Sequence, residues 1–312
     1  MALHRLDWRE VPPEPCRHGV AIIGNFDGVH RGHALLLERA RIRAMPRQAP
    51  VVAVTFVPHP LQLLRPESYQ PALTTLADRA ELLHAAGADH VVVLNTERSL
   101  LELSAADFFT RVIRDGLKAT ALVEGPNFGF GRQREGDVET LTRFCAAAGL
   151  MLEIVSPLQV DGTVVSSSRI RRSLVAGEVS AATRGLGRLY RLRGIVGVGQ
   201  RRGAELGFPT ANLDAVATIV PGDGVYAVRA WPPGSASYPA ATNIGPNPTF
   251  GEQDRKIEVH LIGFQGDLYG QPLAIDFLDR IRDTRKFASA AELRDQIRGD
   301  VARARDVALR PY

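Results

Sequence analysis

Cysteine is scarce in this chain of 312 residues, which contains only Cys16 and Cys145, too few for a disulfide framework. Long apolar runs are missing as well. The longest, such as VVAVTFV at 51–57, fall far below the roughly 18 residues that a membrane-spanning helix needs. The N-terminal MALHRLDWREVPPEP has charges and prolines where a signal peptide has its apolar stretch. We therefore expect a cytoplasmic protein with no membrane partner.

Lysine is rare too, since only three of the 38 basic residues are lysines. The arginines are scattered along the chain, with one dense group at Arg169, Arg171 and Arg172. The formal net charge is +4 and the isoelectric point is about 9.3, values that a nucleic-acid-binding protein could have. No motif that reads RNA or DNA accompanies them. We expect no nucleic-acid partner and keep nucleic-acid binding as an alternative hypothesis.

What is present indicates a folded globular protein. Hydrophobic residues make up 45% of the chain and charged residues 23%, close to the globular average, which excludes disordered and collagen-like classes. The length exceeds the ~250–300 residues at which a single core usually stops growing. Two domains are therefore expected.

The first part of the chain, from residue 20 to about 156, alternates apolar runs with helical patterns. VAIIGNF, VVAVTFV, HVVVLN, TALVEG and LEIV have the composition of buried strands. Strands that alternate with helices and lack polar alternation predict a parallel sheet covered on both faces, an α/β doubly wound domain. Ligands bind such sheets beyond the carboxyl ends of the strands, so the loops after residues 25, 57 and 125 are the candidate sites.

The second part has a different character. SSSRIRRSLVAGEVSAATRGLG predicts a helix followed by a connection punctuated by glycines, and short strands broken by Gly and Pro turns begin at Tyr190. They predict a small antiparallel β-barrel, and the amphipathic segment 289–309 predicts a C-terminal closing helix. We place the first domain at residues 1–183 and the second at 184–312.

The motif GNFDGVHRGH at 24–33 joins the first predicted strand to a helix. Its glycines allow a tight turn and a close approach to a ligand, and the following helix N-terminus favours phosphate. His30 and His33 share one face of a helical turn and can both donate to phosphoryl oxygens. Two histidines that only cap a turn, or a metal pair, are the alternatives. The predicted ATP-binding residues here are Gly24, Asn25, Phe26, Asp27, Gly28 and Gly32.

The motif resembles the H-x-G-H nucleotidyltransferase superfamily, in which the two histidines stabilise the α-phosphate during adenylyl transfer. The second motif of that superfamily is a helix start that holds the β- and γ-phosphates, and SSSRIR at 166–171 is similar to it. Serines are good N-cap residues, and arginines supply charge to phosphates. The resemblance implies phosphate contacts from Ser166, Ser167, Ser168, Arg169 and Arg171.

Two further segments, TFVPHP at 55–60 and EGPNFGFG at 124–131, resemble the flavin-adenylating domain of bacterial bifunctional riboflavin kinase/FAD synthetases. The resemblance implies that His59, Asn127 and Phe128 meet the flavin or the nucleotide. The family usually has an acidic residue where this chain has Pro126. Ordinary packing at a strand end is the alternative reading for Phe128.

The second domain opens with GIVGVGQRRGAELGFPTANL at 194–213, and GFPTAN is typical of the riboflavin kinase fold. Hard oxygen ligands beside a Gly-rich loop suit Mg²⁺ and triphosphate. Gly199, Gly203 and Gly207 are the predicted phosphate-binding residues, and Thr210 and Asn212 the predicted metal ligands. The alternation in KIEVHL at 256–261 places Glu258 on a polar strand face. The resemblance implies that Glu258 is the general base.

Together these motifs imply a bifunctional enzyme that phosphorylates riboflavin to FMN and then adenylates FMN to FAD, with ATP and Mg²⁺ in both steps. Its expected partners are the small molecules ATP, riboflavin, FMN and FAD. The family usually has Arg directly after Gly203, where this chain has Ala204. Arg201 or Arg202 could take over that contact. A competing hypothesis therefore keeps only the adenylyltransferase active and reduces the barrel to a flavin-binding module.

Overall fold

The computed structural model describes residues 2–199, 202–246 and 254–310, and the chain forms two compact units. The first contains Met1–Gln70 and Thr74–Ser166, and the second contains Pro71–Leu73 and Ser167–Tyr312. Among the described residues, none of the helices is both long and apolar enough to cross a membrane.

A six-stranded parallel sheet forms the centre of the first unit. Its strands are β1 (Ala2–Leu6), β2 (Val20–Ile23), β3 (Val51–Val57), β4 (His90–Asn95), β5 (Ala121–Glu124) and β6 (Met151–Ile154). They lie in the order β1-β4-β3-β2-β5-β6, and every neighbouring pair is parallel. The predicted doubly wound α/β domain is confirmed. The edge strand β1 was not predicted from the sequence.

Helices cover both faces of this sheet. Successive side chains of each strand point to opposite sides, so each face has apolar side chains that must be buried. Val20 and Ile22 belong to one core cluster, whereas Ala21 and Ile23 belong to the other. The helices are α1 (Arg31–Ala44), α2 (Pro60–Leu64), α3 (Leu76–Ala85), α4 (Arg98–Leu101), α5 (Ala105–Phe108) and α6 (Val138–Ala148). A π-helix over Phe109–Gly116 continues α5, and a short antiparallel pair, β7 (Gln159–Val160) and β8 (Thr163–Val164), ends the unit.

The second unit is a closed six-stranded antiparallel barrel with helices around it. The strands are β9 (Tyr190–Gly197), β10 (Ala211–Asp214), β11 (Gly224–Trp231), β12 (Tyr238–Gly245), β13 (Lys256–Leu261) and β14 (Pro272–Arg282), in the order β10-β13-β12-β11-β14-β9. The helices are α7 (Ser167–Val175), α8 (Val179–Leu186), α9 (Arg202–Glu205) and α10 (Ala290–Leu309). The predicted barrel and closing helix are confirmed.

Two elements of this unit differ from the sequence prediction. The segment expected as a Gly-punctuated connection contains helix α8, whose residues Val179, Ala182 and Leu186 are buried. Strands β10 and β12 were not predicted, because they are short or contain Pro, Gly and Asn, which are depleted in strands. Pairing with neighbours on both sides makes them strands despite that composition.

Candidate active sites

The turn after β2 carries the first candidate site, at the carboxyl edge of the sheet. Its backbone is tightly folded, with left-handed φ values at Phe26 (45°), Gly28 (84°) and Val29 (36°). A Cβ on Gly24 would lie 3.3 Å from the ring of Phe26, so a glycine there lets the ring fold back over the turn. The turn delivers the chain directly into the N-terminus of α1, where free backbone amides favour an anion.

His30 and His33 are held together at that N-terminus. Their rings stack with centroids 3.6 Å apart, and His33 also makes an edge contact with Phe26. His30 caps α1, since its Nδ1 accepts a hydrogen bond from the backbone N–H of His33. A neutral imidazole that accepts at Nδ1 carries its proton on Nε2, which fixes the tautomer of a neutral His30. A Cβ on Gly32 would lie 3.1 Å from the ring of His30, which explains the glycine between the two histidines.

Asp27 fastens the turn to neighbouring elements. Its carboxylate is buried and accepts hydrogen bonds from the backbone N–H and the hydroxyl of Thr74, both at 3.2 Å. The guanidinium of Arg79 lies 3.8 Å from the same carboxylate and donates to the hydroxyl of Thr55. That hydroxyl donates in turn to the carbonyl of Asn25. The predicted phosphate contact of Asp27 stays a prediction, whereas its role in shaping the turn follows from these bonds.

Sequence reasoning missed Thr55, Thr74 and Arg79 as parts of this site. Thr55 lies in β3 and was noticed only as part of TFVPHP, while Arg79 lies on α3 and is 6% exposed. The sequence offered one signal for Arg79, because it lies on the apolar face of the helical pattern TLADRAELLHAAGA. A buried arginine needs a partner of opposite charge or a hydrogen-bond acceptor.

His59 and Phe128 follow β3 and β5, the strands on either side of β2. His59 caps α2 by accepting from the backbone N–H of Leu61, and it is half-buried. Phe128 is half-buried and stacks on the buried Phe130 at 5.4 Å. The carboxyl ends of parallel strands meet at one sheet edge, so these residues and the histidines are on the same edge of the unit. Their contact with flavin stays a prediction.

The loop that carries Asn127 is shaped by Arg134. Asn127 is exposed, and its backbone carbonyl accepts a hydrogen bond from the Arg134 guanidinium at 2.9 Å. The same guanidinium lies across Gly129, where a Cβ would come within 2.8 Å of it. The side chain of Asn127 is therefore exposed to solvent, while Arg134 fixes the backbone of the loop.

The serine and arginine group straddles the division between the two units. Ser166 ends the first unit, and Ser167, Ser168, Arg169 and Arg171 begin α7 in the second. The guanidinium of Arg171 donates to the carbonyl of Pro71 within the second unit. The predicted contact of this group with the β- and γ-phosphates stays a prediction.

Glu124 is a buried carboxyl group at the end of β5 that sequence reasoning did not single out. It is 2% exposed and accepts a hydrogen bond from the backbone N–H of Ile23 at 2.7 Å. Burial raises the pKa of Glu124 well above its usual range, although the hydrogen bond from Ile23 opposes the shift. The carboxyl group thus joins β2 to β5 at the point where the strand order reverses.

The second candidate site lies on the barrel, around Glu258 in β13. Ile257 and Val259 are buried while Glu258 is half-exposed, as the alternation predicts. Glu258 stands directly opposite Asn212 in β10 and opposite Asn243 in β12. Directly paired residues share one sheet face, with Cβ atoms ~4.5–5.5 Å apart. The pairing therefore brings the predicted base and a predicted metal ligand together, and adds Asn243, which sequence reasoning missed.

Glycines make room for the polar groups of this site. A Cβ on Gly199 would overlap the side-chain amide of Asn212, and one on Gly203 would lie 3.1 Å from the hydroxyl of Thr210. The backbone also approaches Gly203 closely, since the N–H of Phe208 donates to the Gly203 carbonyl at 2.7 Å. Gly207 has a φ of 88°, the left-handed region that favours glycine. Gly199 thus packs against Asn212, and Gly203 packs against Thr210.

Ala204 is exposed on the short helix α9. Arg201 lies outside the described residues, and the side chain of Arg202 does too, so their suggested replacement of an arginine after Gly203 stays a prediction. Part of the motif NIGPNPTF also lies outside the described residues, from 247 to 250.

Comparison with known proteins agrees with this two-part architecture. A family described as FAD synthetase matches residues 13–169, and a family described as riboflavin kinase matches residues 186–308. A solved structure of a protein named macrolide-efflux protein from Streptococcus pneumoniae superposes with a TM-score of 0.87 at 30% identity, covering 98% of this chain and 99% of that one.

Curated relatives are similar over almost their whole length. The bifunctional riboflavin kinase/FMN adenylyltransferase of Pseudomonas fluorescens is 40% identical over 290 residues, which is 93% of each chain. The enzymes of the same name from Escherichia coli K12 and Bacillus subtilis 168 are 33% and 35% identical. The alignment with the first covers 97% of this chain and 96% of the relative, and with the second 90% of each.

Proposed function

This chain belongs to the bifunctional riboflavin kinase/FMN adenylyltransferase family, and we propose that its two candidate sites each carry one of the two reactions. The enzyme phosphorylates riboflavin to FMN and adenylates FMN to FAD, and both activities use ATP. We assign FMN adenylation to the turn and helix start around His30 and His33, and riboflavin phosphorylation to the barrel face around Glu258.

The stacked imidazole pair at the N-terminus of α1 carries the adenylyltransferase assignment. In adenylyl transfer an FMN phosphate oxygen attacks the α-phosphorus of ATP, and pyrophosphate leaves. Negative charge on the α-phosphoryl oxygens is stabilised by donors that are already in position. Because the helix cap occupies its Nδ1, a neutral His30 carries its ring proton on Nε2, and the His33 ring stacks against the His30 ring. The helix amides add positive potential.

The other predicted residues are assigned to phosphate and flavin contacts. The turn residues Gly24 to Gly28 and Gly32 let the phosphates approach the backbone, and the β- and γ-phosphates are bound by Ser166, Ser167, Ser168, Arg169 and Arg171. His59, Asn127 and Phe128 contact the flavin or the nucleotide. Their position after strands that flank β2 supports this assignment for His59, Asn127 and Phe128.

The kinase assignment is supported by the row formed by Asn212, Glu258 and Asn243 across three strands. The Glu258 carboxylate takes the proton of the ribityl 5′-hydroxyl while that oxygen attacks the γ-phosphorus, and ADP leaves. The two asparagine amides flank the carboxylate and can orient it and the substrate by hydrogen bonds. Gly199, Gly203 and Gly207 allow the triphosphate to approach the loop.

Magnesium fits the oxygen donors beside this loop. Asn212 in β10 is paired with Glu258 and shares its strand face, and Thr210 directly precedes β10. Their hydroxyl and amide oxygens are hard ligands of the type that Mg²⁺ takes. The ion would neutralise phosphate charge. We propose Thr210 and Asn212 as its protein ligands, and expect a chelator to stop both reactions and added Mg²⁺ to restore them.

We further propose that the enzyme is cytoplasmic and that its partners are the small molecules ATP, riboflavin, FMN and FAD, without nucleic acid or membrane. The scattered distribution of its arginines and the chemistry of both reactions support this proposal.

A pair of variants tests the assignment of the two sites. His33→Ala should lower FAD formation from supplied FMN by about 10²–10³-fold, the cost of losing one preorganised donor, and leave riboflavin phosphorylation unchanged. Glu258→Gln should do the reverse, with a loss on the order of 10²–10⁴-fold in kinase rate, because Gln cannot accept a proton. Separation of the flavins formed from riboflavin and from FMN, each with Mg²⁺ and ATP, measures both rates.

The assignment is wrong if either folded variant loses both activities equally. It is also wrong if Glu258→Gln retains more than about a tenth of the kinase rate, since that loss is too small for a missing general base.

A further inference from the structure

Three potential metal ligands converge in the first unit, and neither reaction uses them. They are His4 in β1, His90 at the start of β4 and Cys16 at the end of the short 3-10 helix Glu14–Cys16. One ligand atom from each, an imidazole nitrogen or the thiol sulfur, lies within 4.8 Å of the other two. His90 is the first residue of its strand, so the cluster is at the amino end of β4, whereas the nucleotide motifs follow the carboxyl ends of the strands.

The parallel pairing of β1 with β4 creates this arrangement. His4 stands opposite Val92, which is two residues after His90, so both histidines point to the same face of the sheet. Val92 and Cys16 belong to the same core cluster, which places the thiol on that face as well. The two imidazole rings are 5.9 Å apart. Residues that are 86 positions apart in sequence, such as His4 and His90, thus meet at one point.

The hydrogen-bonding groups of the cluster are not satisfied by the protein. Nε2 of His4 and Nδ1 of His90 are both inaccessible to solvent, and neither has a hydrogen-bond partner within the described part of the chain. The Cys16 side chain beside them is also buried. A buried polar atom without a partner costs free energy, so two such nitrogens next to a thiol indicate that something else binds there.

We propose that His4, Cys16 and His90 form a zinc-binding site. Two imidazoles and a thiolate are ligands that Zn²⁺ prefers, and three protein ligands leave one position for water. Tetrahedral zinc with bonds of about 2.0–2.3 Å places its ligand atoms ~3.3–3.8 Å apart, so closing the cluster onto the ion requires a shift of about 1 Å. The two neutral imidazoles donate lone pairs, and the thiol proton is released to solvent when the sulfur binds.

An open groove borders the cluster on the side of His90. His90 lines this groove together with Glu14, Arg17, Arg41 and Asp89, so a rotation of the His90 side chain would open the cluster to an ion from that side. Zinc bound there would join the edge strand β1 to β4 and to the segment before β2. An ion that binds the folded chain and not the unfolded chain raises the stability of the protein by mass action.

The test uses the full-length protein without a histidine tag, stripped of metal by a chelator. Zn²⁺ binding is measured by competition with a chromophoric chelator, and Co²⁺ is added as a spectroscopic probe. Cobalt bound to a thiolate gives a charge-transfer band in the near ultraviolet, which the histidines of the H-x-G-H motif cannot produce. The chain has only two cysteines, so Cys145→Ala is a matched control for Cys16→Ala.

We expect one Zn²⁺ per chain, a cobalt thiolate band and a zinc-dependent rise in unfolding temperature, in the wild type and in Cys145→Ala. Cys16→Ala should lose all three effects. His4→Gln and His90→Gln, which keep Cys16 in the core, should each weaken zinc binding by at least ~100-fold, because even an outer-shell partner of a zinc ligand is worth about 10–100-fold.

The proposal is overturned if the folded wild type shows no thiolate band with Co²⁺, which would indicate that water satisfies the two nitrogens and that Cys16 is an ordinary core residue. It is also overturned if Cys16→Ala binds zinc as the wild type does. If Cys16→Ala does not fold, undiminished zinc affinity in both histidine variants overturns it.

Discussion

The carboxyl group of Glu124 links protonation to stability in a direction opposite to most acidic residues. Burial raises its pKa, so the folded protein keeps a proton that the unfolded chain loses above its ordinary pKa of about 4.3. Stability contributed by this group is therefore complete below that pH and is lost as the pH rises through the folded pKa. Glu124→Gln keeps an oxygen that can accept from Ile23 and removes the titration.

Glu124→Gln should accordingly unfold at a higher temperature than the wild type at pH 8, with a difference that shrinks toward pH 4. The matched control is Glu153→Gln. Burial acts to raise the pKa of Glu153, but hydrogen bonds from Arg43 and Arg39 outweigh it and hold that pKa below its usual value. Glu153→Gln should therefore be less stable than the wild type at neutral pH, and this difference should shrink as the pH falls. Thermal unfolding across the pH range measures both, and a Glu124→Gln variant less stable than the wild type at pH 8 would contradict the argument.

Gly199 is a single residue on which the kinase site depends. Because a Cβ there would overlap the Asn212 amide, Gly199→Ala should displace Asn212 from its place beside Glu258. A displacement of about 1 Å can cost about 10²-fold in rate. We expect a loss of that order in riboflavin phosphorylation, with FAD formation from supplied FMN unchanged.

Gly299→Ala is the control for that variant. Gly299 lies within α10 with nothing near the position of its missing Cβ, so alanine should leave both activities intact and stabilise the helix by up to ~1 kcal/mol. Equal kinase rates in the two variants would show that the packing of Gly199 against Asn212 does not matter for the reaction.

At the scale of elements, α10 shows how local sequence determines where a helix begins. Ser289 is the N-cap, and its hydroxyl accepts from the backbone N–H of Glu292 at 3.2 Å. Glu292 reaches back to the N–H of Ala288, a reciprocal arrangement similar to a capping box. The helix buries Ala304 and Ala308 against the core of the barrel unit.

Ser289→Ala should destabilise the barrel unit by about 1 kcal/mol, because it leaves a helix amide without its partner. Urea unfolding of the whole protein, followed by a probe in this unit, measures the change. Ser235→Ala, in the exposed turn between β11 and β12, is the control and should change little. If both serine variants unfold alike, the cap does not hold the helix.

At the scale of the whole molecule, the boundary between the domains is testable with two fragments. We predicted a second domain of residues 184–312, whereas the second compact unit already includes α7 and α8. Within that unit the carbonyl of Leu174 accepts from the N–H of Gly222 at 2.8 Å, and the carbonyl of Ala176 accepts from Arg280. A cut at 183 lies inside α8 and exposes its buried face.

A fragment of residues 167–312 should therefore fold cooperatively and phosphorylate riboflavin, without making FAD. A fragment of residues 184–312 should unfold at a lower temperature and lose most of that activity, since it lacks α7 and most of α8. Thermal unfolding and the kinase assay compare the two. If the shorter fragment is as stable and active as the longer one, the boundary at 183 is the right one.

The sequence by itself determined the class of each domain and the places of its chemistry. Alternation of apolar runs with helical patterns identified five strands of the parallel sheet, GNFDGVHRGH marked the loop after β2, and GFPTAN marked the segment that leads into β10. These features are local, because a turn, a helix cap or a strand face depends on residues a few positions apart. Such patterns singled out His30 and His33 and placed Glu258 on a polar strand face, whereas the role of Glu258 as a base came from the family resemblance.

Tertiary structure alone decided the contacts made over long sequence separations. The strands β1 and β12 have compositions that do not favour strands, and they form because a partner strand satisfies their backbone. The same pairing places Asn243 beside Glu258 and His4 near His90 and Cys16. No local pattern encodes such meetings. They depend on which strands pair and in which register, and burial of the whole core selects that register.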